Sequence, residues 1–155
     1  MNSAPKARVA RAAFVLVMLL GLALQVAAQS QEMVVYKLAT CGCCLNWVKL
    51  MESAGFHVTV HNVTDVTVYG RKYGIPDNLE SCHVAIVGNY VIAGHVPLTE
   101  IRRLLKERPT AKGLSVPGMP VGAPGMEEGT RRDAFSVVLV GAGGKASVYQ
   151  SYAQR

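Results

Sequence analysis

Cysteine dominates the reactive chemistry of this chain: Cys41, Cys43 and Cys44 are clustered in Cys41-Gly42-Cys43-Cys44, and Cys82 stands apart, directly before His83. Three chemistries are open to them. As structural disulfides, four cysteines allow three pairings. A bridge between the neighbours Cys43 and Cys44 is strained, and Cys41 to Cys43 closes over a single residue. Cys41–Cys44 with Cys43–Cys82 is the sterically reasonable set, although such clustered cysteines staple little chain. As a thiol–disulfide exchanger, Cys41 would attack from the N-terminus of a helix, where thiol pKa values fall, and Cys44 would resolve the mixed disulfide at Cys-X-X-Cys spacing. Cys43 would then compete for every intermediate. As a soft-metal site, the thiolates select Cu(I), zinc or an iron–sulfur cluster. Zinc could use three cysteines and a histidine, with Cys82-His83 as the second knuckle. No ferredoxin-type spacing is present. Cu(I) tolerates low coordination and bridging sulfur, so crowded cysteines suit it best, with room for more than one ion. It also accepts thioethers, which brings in Met119 and Met126.

The histidines are weaker candidates. His57 and His61 share a strand face but stand roughly 13 Å apart at about 3.3 Å per residue, so they cannot chelate one ion. His83 is a ligand candidate beside Cys82, yet strand alternation would turn the two side chains to opposite faces. His95, two residues before Pro97, could equally bond backbone at a helix entrance. No Ser-His-Asp set, phosphate loop or carboxylate pair stands out, so hydrolase and kinase chemistry has no support.

The elements that must position these residues follow from periodicity. Met33 to Tyr36 is β-prone and runs into the cysteines. Trp47, Leu50, Met51 and Ala54 then recur at helical spacing up to Gly55. His57 to His61 alternates as a strand. Thr64 to Tyr73 reads as a weak helix closed by Gly74 and Pro76. Val84 to Val87, the turn Gly88-Asn89 and Tyr90 to Ile92 form a hairpin. Pro97 opens a helix with Leu98, Ile101, Leu104 and Leu105 on one face. The order β-α-β-α-β-β-α is that of a thioredoxin-like α/β domain. Residues 111–129 then break the pattern: Pro-Gly-Met occurs at Pro117 and again at Pro124, predicting a Pro/Gly/Met loop. A final hairpin is expected over 134–150. In a thioredoxin-like core the segment entering the third strand lies against the cysteine loop, which would carry Cys82 to the cluster.

The formal charge of +6 is unevenly placed. Lys6, Arg8 and Arg11 precede an apolar run, Ala12 to Leu24, and the small residues Val26-Ala27-Ala28. Charged, apolar and cleavable segments in that order predict a secretory signal over residues 1–28, too short in its apolar part to span a bilayer. Residues 29–155 then form one domain in an oxidising compartment, with no stable membrane insertion. That domain is close to neutral and poor in aromatics, which argues against nucleic acid as a partner.

Several motifs together carry a resemblance. Val35-Tyr36-Lys37 ahead of the cysteines, Trp47, Gly55-Phe56, Ser81-Cys82-His83, Gly94-His95-Val96-Pro97 and Pro117-Gly118-Met119-Pro120 resemble the CopG-type family of periplasmic copper-resistance proteins over nearly all of residues 29–155. The resemblance implies a thioredoxin-like fold, copper on the cysteine cluster, and periplasmic copper handling with redox cycling and other copper-handling proteins as partners. Family members often carry a histidine where this chain has Leu50, so no copper contact is expected there. The expectation is a Cu(I)-binding protein using Cys41, Cys43, Cys44 and Cys82, with Met119, Met126 and His83 as further candidates and zinc as the lesser metal. A periplasmic thiol–disulfide oxidoreductase using Cys41 and Cys44 is the alternative. Metal binding is the stronger expectation, and enzymatic activity is left open.

Overall fold

A computed structural model describes residues 31–154. The expected signal segment, residues 1–28, lies outside them. In chain order the elements are β1 (Glu32–Leu38), α1 (Gly42–Ser53), β2 (His57–Val63), α2 (Thr67–Tyr73), a 3-10 turn (Asp77–Leu79), β3 (His83–Val87), β4 (Tyr90–Ala93), α3 (Leu98–Glu107), β5 (Ala111–Ser115), β6 (Phe135–Gly141), a second 3-10 turn (Ala142–Gly144) and β7 (Ala146–Tyr152). The strands make one mixed sheet in the order β2-β1-β3-β4-β5-β6-β7. β1 runs parallel to β2, whereas β3 is antiparallel to both β1 and β4.

Alternation along the strands sends side chains to two cores. Met33, Val35, Ala85, Val87 and Ile92 pack with Trp47, Val48 and Met51 of α1 and with Ile101 and Leu104 of α3. Val84, Val91, Ala93 and Val140 point the other way, onto Val66, Ile75 and Leu79 around α2. The sheet is therefore covered on both faces, the arrangement that hydrophobic strands such as β4, buried at every position, require. At roughly 25 cal/mol per Å² of apolar surface, these two clusters are the main stabilising term of the fold.

Two elements differ from expectation. α2 starts at Thr67 and not Thr64, because β2 continues through Val63 and Asp65 forms a turn. The Asp65 carboxylate accepts from both the backbone N–H and the hydroxyl of Thr67, at 2.8 and 2.7 Å. Ala111–Ser115, assigned from sequence to the loop, is strand β5, parallel to β4 and antiparallel to β6. Ala-Lys-Gly-Leu-Ser has weak strand propensity on its own. Pairing on both sides decides it, and Gly113 permits the approach: a Cβ there would collide with the Val91 carbonyl oxygen. The irregular Pro/Gly/Met segment thus begins at Val116, and β6 and β7 close the sheet as a hairpin.

Candidate metal centre

The cysteines sit where β1 hands the chain to α1. Cys41 is the N-cap of α1, and its sulfur accepts the Cys44 backbone N–H at 3.3 Å, a role a polar side chain takes at helix starts. Trp47, one turn further on, anchors the helix: it is fully buried and its indole N–H donates to the Val96 carbonyl at 3.0 Å. That bond joins the cysteine helix to the Gly94–Pro97 connection and so brings His95 into the same neighbourhood.

The donor atoms of Cys41, Cys43, Cys44 and Cys82 all lie within 4.8 Å of one another. Cys82 therefore reaches the cluster, carried there by the β1–β3 pairing. Cys41 and Cys44 are joined as a disulfide, whereas Cys43 and Cys82 are free thiols. Cys43 Sγ stands 3.4 Å from Cys41 Sγ. A second group overlaps the first: donor atoms of Cys44, Cys82, His83 and His95 also fall within 4.8 Å of one another. Cys82 Sγ is 3.0 Å from His95 Nε2 and 3.5 Å from His83 Nδ1.

His83 does not turn away from Cys82. Strict alternation fails because Cys82 lies just outside β3, which begins at His83, so the two side chains converge. The His83 ring packs 4.5 Å from Trp47 and edge-on to His95, and its Nε2 is buried with no hydrogen-bond partner among the described residues. His95 is the residue that sequence reasoning undervalued. It places Nδ1 2.8 Å from the Pro124 carbonyl, which accepts its N–H and so turns the lone pair of Nε2 toward Cys82. Its place in Gly94-His95-Val96-Pro97 was the available signal.

The Pro/Gly/Met segment wraps this centre at two points. Ser81 donates to the Gly118 carbonyl at 2.6 Å, next to Met119. Gly125, next to Met126, lies directly on α1: a Cβ at this left-handed position would stand 2.8 Å from the Trp47 nitrogen and 2.9 Å from the Cys43 carbonyl oxygen. Each methionine is thus only a sequence neighbour of a contact residue: Met119 is exposed and lines a pocket with Phe135 and Val138 of β6, and Met126 is half-buried. His57 and His61 are elsewhere, the first paired with Glu32 at 2.8 Å and the second stacked on Tyr36.

The electrostatics are those of a site that binds through neutral or displaced protons. Burial, together with the neighbouring Cys43, pushes the Cys82 thiol up to about 11. Burial, then the His95 and Lys37 charges, hold His83 down to about 3. Burial likewise lowers His95, against the opposing bond to Pro124. Both imidazoles are thus in their ligating, uncharged form at neutral pH, and a metal that takes Cys82 must displace its proton. Sulfur and imidazole donors without a carboxylate suit a soft or borderline ion and exclude a hard one.

Comparison with known proteins agrees with this geometry. Two solved structures, named copper resistance protein CopG in form 2 and form 1, are each 41% identical to this chain, with TM-scores of 0.76. The matches span 80% and 81% of this chain and 99% of each of those chains. The chain belongs to the CopG family. The family described as "Protein of unknown function, DUF411" matches residues 79–126, a segment that holds Cys82, His83, His95 and both Pro-Gly-Met units. No curated protein matches the chain. Among the described residues no helix is long and apolar enough to cross a membrane.

Proposed function

We propose that this CopG-family protein binds Cu(I) in the periplasm, through Cys41, Cys43, Cys44 and Cys82, with His83 and His95 beside them and Met119 and Met126 as outer sulfur donors. The observation that carries the reading is the convergence of four sulfurs and two uncharged imidazoles within two overlapping groups of donor atoms. Their number and overlap favour more than one ion, and their softness favours copper over zinc. The names of the two similar structures add independent support. The strand order β2-β1-β3-β4, with its directions, supports a thioredoxin-like core. Signal cleavage after Ala28 would release the domain beginning at Gln29, which N-terminal mass spectrometry of the exported protein would read.

The disulfide adds a redox element. Closed, it leaves Cys43, Cys82 and the two histidines. Opened by two cellular thiols, which supply two electrons and two protons and leave as their own disulfide, it offers four cysteines, so metal capacity and thiol state are linked. The same bond, capping α1 at Cys-X-X-Cys spacing, favours the second reading, a thiol–disulfide oxidoreductase. Cys43 separates the two. Elemental analysis and a thiol count on protein from copper-fed periplasm should show copper, and Cys43→Ser should lower its stoichiometry while Cys41 and Cys44 still pair. Unchanged copper content with full exchange activity retained would decide for the enzyme.

A further inference from the structure

Lys37 is a cation in an unusual place. It ends the inward-facing series Met33, Val35, Lys37 of β1 and is only 4% exposed. Its partner across the sheet is His83, whose ring lies against Trp47 and whose Nδ1 approaches Cys82. An ammonium carries three donors. Lys37 uses one within the described residues, to the Leu38 carbonyl at 3.0 Å. The same carbonyl accepts the backbone N–H of Cys41 at 3.1 Å, so the ammonium sits one carbonyl away from the cysteine cap.

A buried charge needs a nearby charge of opposite sign, and lysine is almost never this buried without one. Among the described residues Lys37 makes no ion pair with a carboxylate. Through the shared Leu38 carbonyl, the group beside it that can become anionic is Cys41 of the cysteine centre. It receives a second positive influence from the N-terminus of α1, whose first turn holds no acidic residue. Two positive sources therefore meet at Cys41, in a centre whose grouped donors include no carboxylate. Fewer Cu(I) ions than thiolates leave such a centre with net negative charge.

We propose that Lys37 is the built-in counter-cation of the cysteine centre, a positioning residue that touches no metal but favours an anionic thiolate–Cu(I) assembly over the neutral thiols. The proposal rests on the reading of these cysteines as a thiolate metal site. Its reach is wider than that reading, because the same charge acts on the metal-free thiols.

The test uses the mature protein with Lys37→Met, which keeps the length and removes the charge, and Lys37→Gln, which keeps a donor for Leu38 but not the charge. Competition against chromophoric chelators should show Cu(I) affinity reduced at least tenfold in both variants. In the metal-free protein, two glutathione molecules reduce the Cys41–Cys44 disulfide to two thiols and leave one glutathione disulfide. That equilibrium should shift at least tenfold toward the protein disulfide, about 30 mV for this two-electron couple. The metal-free, disulfide-closed melting midpoint should hold or rise, since an unpaired buried cation has been removed. A lowered midpoint with the glutathione equilibrium within twofold of wild type would mean a packing role alone and overturn the proposal. Should wild type bind no Cu(I), the proposed function fails, while the glutathione equilibrium still decides for or against Lys37.

Discussion

Cys82 is the residue whose position depends most on the rest of the chain, since it lies 38 residues from Cys44 and reaches it only through β3. A ligand that binds the folded state alone stabilises it by mass action, by about 4 kcal/mol at a thousandfold excess over Kd. Cys82→Ser should lose most of the Cu(I)-induced rise in melting midpoint while the metal-free midpoint changes little, because a hydroxyl nearly replaces the thiol in size. Melts of both proteins with and without Cu(I), in a reductant that does not bind copper, measure this. Retention of the whole rise would place Cys82 outside the site. His95→Gln should lose a smaller part of the same rise, and Met119→Leu, at an exposed side chain, the least. His83 is less open to substitution, since its ring fills core space against Trp47 as well as facing Cys82.

At the scale of elements, the Pro/Gly/Met segment works as a strap held over the start of α1. Its contact at Gly125 is backbone against backbone, so no side chain can give way there. Gly118 is also left-handed, yet a Cβ at that position meets none of the described residues within 4 Å. Comparing Gly125→Ala with Gly118→Ala thus separates conformational strain from collision. Gly118→Ala should cost about 1 kcal/mol, the ordinary penalty of a left-handed alanine. Gly125→Ala should cost a further 1–3 kcal/mol or so, as overpacking does. It should also weaken metal binding by lifting Pro124, whose carbonyl orients His95. Urea unfolding of the two variants gives the difference, and equal costs would show that the strap does not press on α1.

For the molecule as a whole, the buried imidazoles make metal-free stability sensitive to mild acid. His83 is held at about 3 in the native state, against roughly 6.5 in an unfolded chain. Below pH 6.5 the unfolded chain takes up a proton that the native protein refuses, so stability falls as pH drops through 6.5 and goes on falling toward pH 3. The slope approaches about 1.4 kcal/mol per pH unit for this one group, with His95 adding in the same direction. The groups facing His83 are Lys37 and His95, both unfavourable to a second charge, and Cys82. Urea midpoints of metal-stripped protein between pH 7 and 5 should therefore decline before most carboxylates titrate, and His83→Gln should flatten the decline. A midpoint that is level over this range in wild type would contradict the assignment.

Local pattern was enough to determine the helix after the cysteines, the β3–β4 hairpin, the helix after Pro97 and the candidate sulfur ligands, because periodicity, turn residues and ligand softness are properties of short segments. It also determined the family, through motifs spread along the chain. Strand β5 was beyond its reach: Ala111–Ser115 is held by partners on both sides and by the missing side chain of Gly113, neither visible in five residues of weak propensity. The cysteine centre divides the same way. Cys41, Cys43 and Cys44 announce themselves by spacing, but the approach of Cys82, the shared side of Cys82 and His83, the contact of His95 and the burial of Lys37 were decided only when β1, β3 and the Gly94–Pro97 connection packed around Trp47. Residues far apart in sequence meet through packing, and packing is a property of the whole sheet.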